Sequence, residues 1–147
     1  MLHGDTLFDL DLEALCACHL RRQAAATLAL RSDPDAARWG VVDVDADDRI
    51  MRITGRGRTD AIPTKPRMFA GVHILNPRLL RDVPKGKPSS IIDAYVAAIQ
   101  RGDLVVGYDL TGYWSDVGTP QRYAQAEHDA TSGLIRLSER SPTGPLA

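Results

Sequence analysis

Two aspartates and a cluster of cations are the side chains of this sequence with the most chemistry to offer. Asp5 closes the opening run Met1-Leu2-His3-Gly4-Asp5, which reads as the last residues of a strand followed at once by a turn. Asp116 lies in Gly112-Tyr-Trp-Ser-Asp-Val-Gly-Thr-Pro120, between a predicted strand and a predicted helix. Carboxylates are hard oxygen donors, the kind that hard cations take. The cations Arg56, Arg58, Lys65 and Arg67 fall in a glycine- and proline-rich stretch, where they either meet phosphate or stay solvated. Read alone, an aspartate in a turn is more often a cap or turn residue than a ligand.

Other chemistry-bearing groups carry weaker signals. Cys16 and Cys18 are too few and too close for a disulfide framework, which points to reduced thiols in a cytosolic compartment. On a helix they stand about 200° apart, so they cannot both face one ion. Asp43, Asp45, Asp47 and Asp48 do not continue into the glycine and terminal glutamate of a calcium loop, and a solvated hairpin tip is the better reading. His73 and His128 have no spaced partner and read as structural or surface residues.

These residues need elements to position them. Asp9 or Asp11 can cap a helix running to about Arg22, with Leu12, Leu15, Cys16 and His19 or Leu20 along one face. Ala25–Leu30 reads as a short buried strand, and residues 40–44 and 49–53 as a β-hairpin over Asp45–Asp48. Met68–Leu75 is a strand with Gly71 at its middle, marking either a bulge or a close approach by backbone or ligand. A short helix follows Asn76-Pro77, and a longer one spans about Ser90–Gln100, closed by Gly102, with Ile91, Ile92, Tyr95, Val96 and Ile99 as its apolar stripe. Leu104–Tyr108 is a further strand, and Thr119-Pro120 is a helix start. Helices alternating with buried strands make an α/β domain, with functional loops expected at the carboxyl ends of strands; Asp5 and Asp116 are both expected there.

The 147 residues suit one compact domain, and a formal net charge of −1 offers no field to draw in nucleic acid or an anionic membrane. No apolar run approaches 18 residues and the start lacks the layout of a signal peptide, so a soluble cytoplasmic protein is expected. The Ser/Pro/Gly-rich residues from Ser138 onward are expected to be a disordered tail, leaving 1–137 as the folded part.

Three stretches together resemble the sugar-1-phosphate nucleotidyltransferases. His3-Gly-Asp-Thr-Leu-Phe-Asp-Leu-Asp-Leu12 is similar to the family's Asn-Gly-Asp followed by an apolar and acidic run. Arg38-Trp-Gly-Val-Val-Asp-Val-Asp45 and Phe69-Ala-Gly-Val-His-Ile-Leu-Asn-Pro77 resemble its Tyr-Gly-Val-Val hairpin and later glycine-containing strand. Gly112–Pro120 resembles its Trp-x-Asp-x-Gly-Thr segment. Two departures stand out. The family's opening glycine-rich nucleotide loop has no counterpart in these residues, and its Glu-Lys-Pro is replaced around Gly55-Arg56-Gly57.

The resemblance implies the C-terminal portion of a Rossmann-like nucleotidyltransferase fold, a mixed sheet with flanking helices and a β-hairpin. It implies attack by a sugar 1-phosphate on the α-phosphorus of a nucleoside triphosphate, with Mg2+ as cofactor and Asp5 and Asp116 as its ligands. Gly40 and Gly71 would bring backbone close to the sugar, Trp114 would lie beside it, and Arg56 would stand in for the missing lysine. For Trp114, core packing is the alternative to sugar contact. The expected partners are these two substrates, with a second copy of the chain or a complementing N-terminal half left open, and without that half little turnover is expected. A non-catalytic sugar-phosphate-binding module is the competing reading.

Overall fold

In a computed structural model, residues 1–60 and 65–135 are described, and they form two compact units. The first comprises Met1–Gly4 and Leu10–Thr111, and the second comprises Asp5–Asp9 and the described residues from Gly112 onward. The expected tail from Ser138 lies outside the described residues.

The first unit holds a six-stranded sheet in the order β5-β4-β3-β6-β2-β7, built from β2 Ala26–Arg31, β3 Val41–Val44, β4 Ile50–Ile53, β5 Arg56–Gly57, β6 Lys65–Leu75 and β7 Val105–Asp109. Only β2 and β7 run parallel; the other neighbours are antiparallel, so the sheet is mixed. The helices are α1 Leu12–Arg22, the single turn α2 Ala36–Trp39, a 3₁₀ helix Pro77–Asp82 and α3 Ile91–Arg101.

Strand β2 shows why its sequence is apolar throughout. Ala26, Leu28 and Leu30 pack with Tyr95, Val96 and Ile99 of α3, while Thr27 projects to the other side, where its Oγ1 lies 2.9 Å from His19 Nδ1 of α1. A strand covered on both faces has no solvent side on which to alternate polar residues. Burial of its imidazole lowers the pKa of His19.

The helix ends follow their capping residues. Asp11 Oδ1 accepts from the N–H groups of Glu13 and Ala14, Ser90 Oγ accepts from Ile92 N–H, and Gly102 closes α3 in a left-handed conformation. The buried side of α1 differs from the expected stripe. Leu15, Cys18 and His19 are buried, whereas Leu12, Cys16 and Leu20 are exposed. The apolar residues of this helix are spread around its axis, so periodicity alone does not select the face, and the His19–Thr27 contact lies on the side that packs.

At the hairpin tip Asp45 Oδ1 accepts from the N–H groups of both Asp47 and Arg49, which makes it a turn residue. Across the hairpin Asp43 Oδ2 takes a 2.8 Å hydrogen bond from Arg52 Nε.

Gly71 combines both of its sequence readings. The register between β2 and β6 shifts between Leu28 and Leu30, opposite His73 and Phe69, so β6 bulges around Gly71. Gly71 has φ +82°, its carbonyl accepts from His3 N–H at 2.9 Å, and an added Cβ would stand 2.8 Å from His3 Nδ1. The close approach is therefore made by the chain's own third residue. Gly71→Ala is expected to destabilise the fold by about 1–2 kcal/mol, chiefly through the left-handed backbone, because the exposed His3 ring can move aside. An unchanged urea midpoint would refute this.

Beneath the bulge His73 is 1% exposed and bonds through Nδ1 to the Tyr95 hydroxyl at 2.7 Å, while its Nε2 is buried without a hydrogen-bond partner. Phe69 stacks on the same ring at 5.4 Å. Burial first, then the Met1 ammonium and His3, lower its pKa to about 4.

Among the described residues, no helix is long and apolar enough to cross a membrane.

Candidate metal and phosphate site

The second unit is a two-stranded antiparallel ribbon, β1 Thr6–Phe8 with β8 Trp114–Asp116, followed by helix α4 Pro120–Thr131. Thr6 pairs with Asp116, Leu7 with Ser115 and Phe8 with Trp114. The ladder is prolonged at both ends, by Asp9 N–H to the Tyr113 carbonyl and by Val117 N–H to the Asp5 carbonyl, each at 2.8 Å. Asp116 ends its strand as expected; Asp5 follows the run Met1–His3, which pairs antiparallel with β6 through the Leu2–Val72 bridge, and immediately precedes β1. Antiparallel pairing brings the start of one strand beside the end of the other, and the two aspartates meet there.

The carboxylates converge over Gly118. A Cβ built on that residue would stand 3.2 Å from Asp116 Oδ1 and 3.3 Å from Asp5 Oδ2. Two oxygens facing one small space form a cradle that a hard cation could occupy, with waters or phosphate completing its shell. Groups of three or more His, Cys, Asp or Glu arranged for a metal are absent among the described residues, so a pair is what this site offers.

The local sequence builds the cradle. Gly118 N–H donates to Asp116 Oδ1 at 2.9 Å, which turns the chain after β8. Thr119 Oγ1 then accepts from Arg122 N–H at 3.3 Å, and Pro120 begins α4. Arg122 Nη1 donates to the same Asp116 Oδ1. Gly112 has its own constraint, since a Cβ there would stand 2.2 Å from the Asp9 carbonyl oxygen.

Helix α4 is tied back to the ribbon through Asp129. Its carboxylate accepts from Gln125 Nε2 and from the Tyr113 hydroxyl, each at 2.8 Å, and these donors hold it below the usual carboxylate range. Burial, with that carboxylate, raises the Tyr113 hydroxyl. A cavity of about 400 Å3, walled mainly by apolar side chains such as Leu7, Phe8, Tyr113, Val117 and Ala126, also belongs to this unit. Neither aspartate of the pair is among its walls.

Of the residues singled out from sequence, Asp5, Asp116 and the half-buried Trp114 belong to this unit. Gly40, Arg56 and Gly71 belong to the first. Gly40 follows α2 at φ +96°, where a Cβ would stand 3.0 Å from Thr54 Cγ2. Arg56 is on β5, with Nη1 donating to Asp93 at 2.8 Å. Arg58 pairs with Asp60 and Arg67 with Asp109, each at 2.6 Å, so three of the four cations read from this stretch already face carboxylates. The side chain of Lys65 lies outside the description. The loop expected around Arg56 is partly a strand, because Arg56 and Gly57 pair with Ile53 and Arg52.

Sequence reasoning did not single out Gly118 or Arg122. A signal for Arg122 was present: it is a cation in the first turn of a helix, where the macrodipole favours acids.

The sequence profile of the Nucleotidyl transferase family matches residues 1–133. A mannose-1-phosphate guanylyltransferase of Mycobacterium tuberculosis is 28% identical over 136 residues, covering 91% of this chain and 37% of that protein. Among solved structures, a chain described as a glucose-1-phosphate thymidylyltransferase of Bacillus anthracis, in complex with sucrose, aligns with a TM-score of 0.69 at 20% identity. It is matched over 92% of this chain and 55% of its own length, and at that identity the likeness speaks for the fold. The chain thus spans little more than a third of the curated relative it matches.

Proposed function

The chain belongs to the nucleotidyl transferase family, and on that premise we propose that it supplies the metal-binding and sugar-phosphate-binding part of a sugar-1-phosphate nucleotidyltransferase. The observation that carries the proposal is the convergence of Asp5 Oδ2 and Asp116 Oδ1 on the space over Gly118.

In this reading the pair holds Mg2+, which when bound would offset negative charge developing on the phosphates. The residues of the chain then do three things. Asp5 and Asp116 provide fixed negative oxygens. The ribbon keeps them in register, and the Gly118 N–H orients Asp116. Trp114 is assigned to the sugar phosphate by resemblance alone. The transfer joins a sugar-phosphate oxygen to the α-phosphorus of a nucleoside triphosphate as the bond to pyrophosphate breaks. Positioning and charge neutralisation account for most of the catalysis of such a step.

These residues contain no glycine-rich nucleotide loop. The test is therefore to supply a polypeptide that carries one and to follow pyrophosphate release from a nucleoside triphosphate and a sugar 1-phosphate with and without Mg2+. Metal-dependent release supports the reading. Sugar-phosphate binding without release under those conditions would favour a non-catalytic binding module.

A second prediction concerns the cradle itself. Gly118→Ala puts a methyl group where the two carboxylate oxygens converge. Mn2+ affinity of the chain, read by the signal of the free ion, is expected to fall about tenfold, roughly 1.4 kcal/mol. Unchanged affinity would place the metal elsewhere.

A further inference from the structure

We propose that Arg122 is a built-in cation latch on the Asp5/Asp116 pair, holding Asp116 Oδ1 until a divalent ion displaces it. This rests on the metal reading above and concerns how that site is regulated.

Three observations carry it. Arg122 Nη1 donates to Asp116 Oδ1, one of the two oxygens that converge over Gly118. A positive charge thus rests on the oxygen that a metal would need. The guanidinium is also the movable partner: the side chain of Arg122 is 42% exposed, that of Asp116 only 21%. A pair this open to water is weakly held, so a long side chain can swing away at little cost.

The third observation is that the cation sits where its own helix does not favour it. With Thr119 as N-cap, Arg122 is the third residue of α4, the position at which a capping box carries glutamate or glutamine. A positive charge there opposes the macrodipole, and the first turn of α4 holds no acid to offset it. The positive charge therefore gains nothing from the helix dipole, while it has a partner in Asp116. The backbone N–H of Arg122, which completes the Thr119 cap, is kept by any substitution except proline.

A latch and a metal compete. A divalent ion between two carboxylates and a guanidinium on one of them repel each other at short range in a partly desolvated site. Binding of the ion must push the arginine off Oδ1, and the freed cation is then available to phosphate oxygens arriving with the metal.

The test measures Mn2+ binding to the full chain by the paramagnetic resonance of the free ion, in wild type, Arg122→Gln, Arg122→Lys and Asp116→Asn. The latch predicts about tenfold tighter binding for Arg122→Gln, by removal of one nearby like charge. Arg122→Lys, which keeps the charge, should remain within about twofold of wild type, the residual range expected for exposed pairs. Thermal unfolding of Arg122→Gln should match wild type or exceed it, since glutamine suits the position; this separates a latch from a structural brace. Equal or weaker Mn2+ binding by a folded Arg122→Gln, with binding still abolished in Asp116→Asn, overturns the latch and leaves the metal site standing. Binding that is absent throughout, or indifferent to Asp116→Asn, overturns both.

Discussion

Asp116→Asn is expected to lower turnover on the order of 10²- to 10³-fold in an enzyme supplied with a nucleotide-binding half, the range typical for removal of one group that stabilises transition-state charge. The substitution removes a negative charge and little else. Asparagine keeps an oxygen that can accept from Gly118 N–H, so the turn after β8 survives. The pair it weakens, with Arg122, is partly exposed and contributes at most about 1 kcal/mol to the fold. A circular dichroism spectrum and melting midpoint like those of wild type, beside the collapse in pyrophosphate release, are the expected combination. Asp5→Asn should behave alike, because its Oδ2 faces the same space. Wild-type turnover in either variant would sink the metal assignment.

The second large effect is one of pH on stability, and it comes from His73. In the fold its pKa is near 4, against about 6.5 in an unfolded chain. The unfolded state therefore binds a proton first as pH falls. Stability contributed by the neutral imidazole is complete above about pH 6.5, declines as pH drops below that value, and is fully lost near pH 4. The width of that window corresponds to about 3 kcal/mol. The causes are burial of the ring, which packs against Phe69 and Tyr95, then the Met1 ammonium and His3. His19, with its pKa also lowered by burial, contributes in the same direction. Urea unfolding between pH 7 and pH 4.5 should show the decline, and His73→Gln should flatten it. An equal slope in the variant would assign the effect to other groups.

The fold was legible where local chemistry decides it. Asp11, Ser90, Gly102 and Thr119 cap the helices that their side chains and backbone preferences indicated, and Asp45 makes the hairpin turn. The α/β character follows from alternation of apolar runs with helical periods, whereas the mixed sheet was implied by the resemblance. What escaped was set by partners distant in sequence. The packed face of α1 is the side on which His19 meets Thr27, and no periodicity in Leu12–Arg22 could reveal that. The strand character of Arg56 comes from pairing with β4, and the short ribbon partner Trp114–Asp116 exists only because Thr6–Phe8 lies beside it. For the candidate site, motif order singled out the two aspartates that the structure brings together. Gly118 and Arg122 were not, because their roles arise from where two carboxylates point.

The ribbon that joins Asp5 to Asp116 also says when the site can form. The two aspartates are 111 positions apart, with most of the first unit between them in sequence. Closing so long a loop in an unfolded chain costs on the order of 4 kcal/mol, more than three residue pairs return. The cost falls once the intervening segment has folded. The meeting of the two aspartates is then a late event, and a chain stalled just short of that closure would have a native sheet, caps and hairpin with the pair still apart.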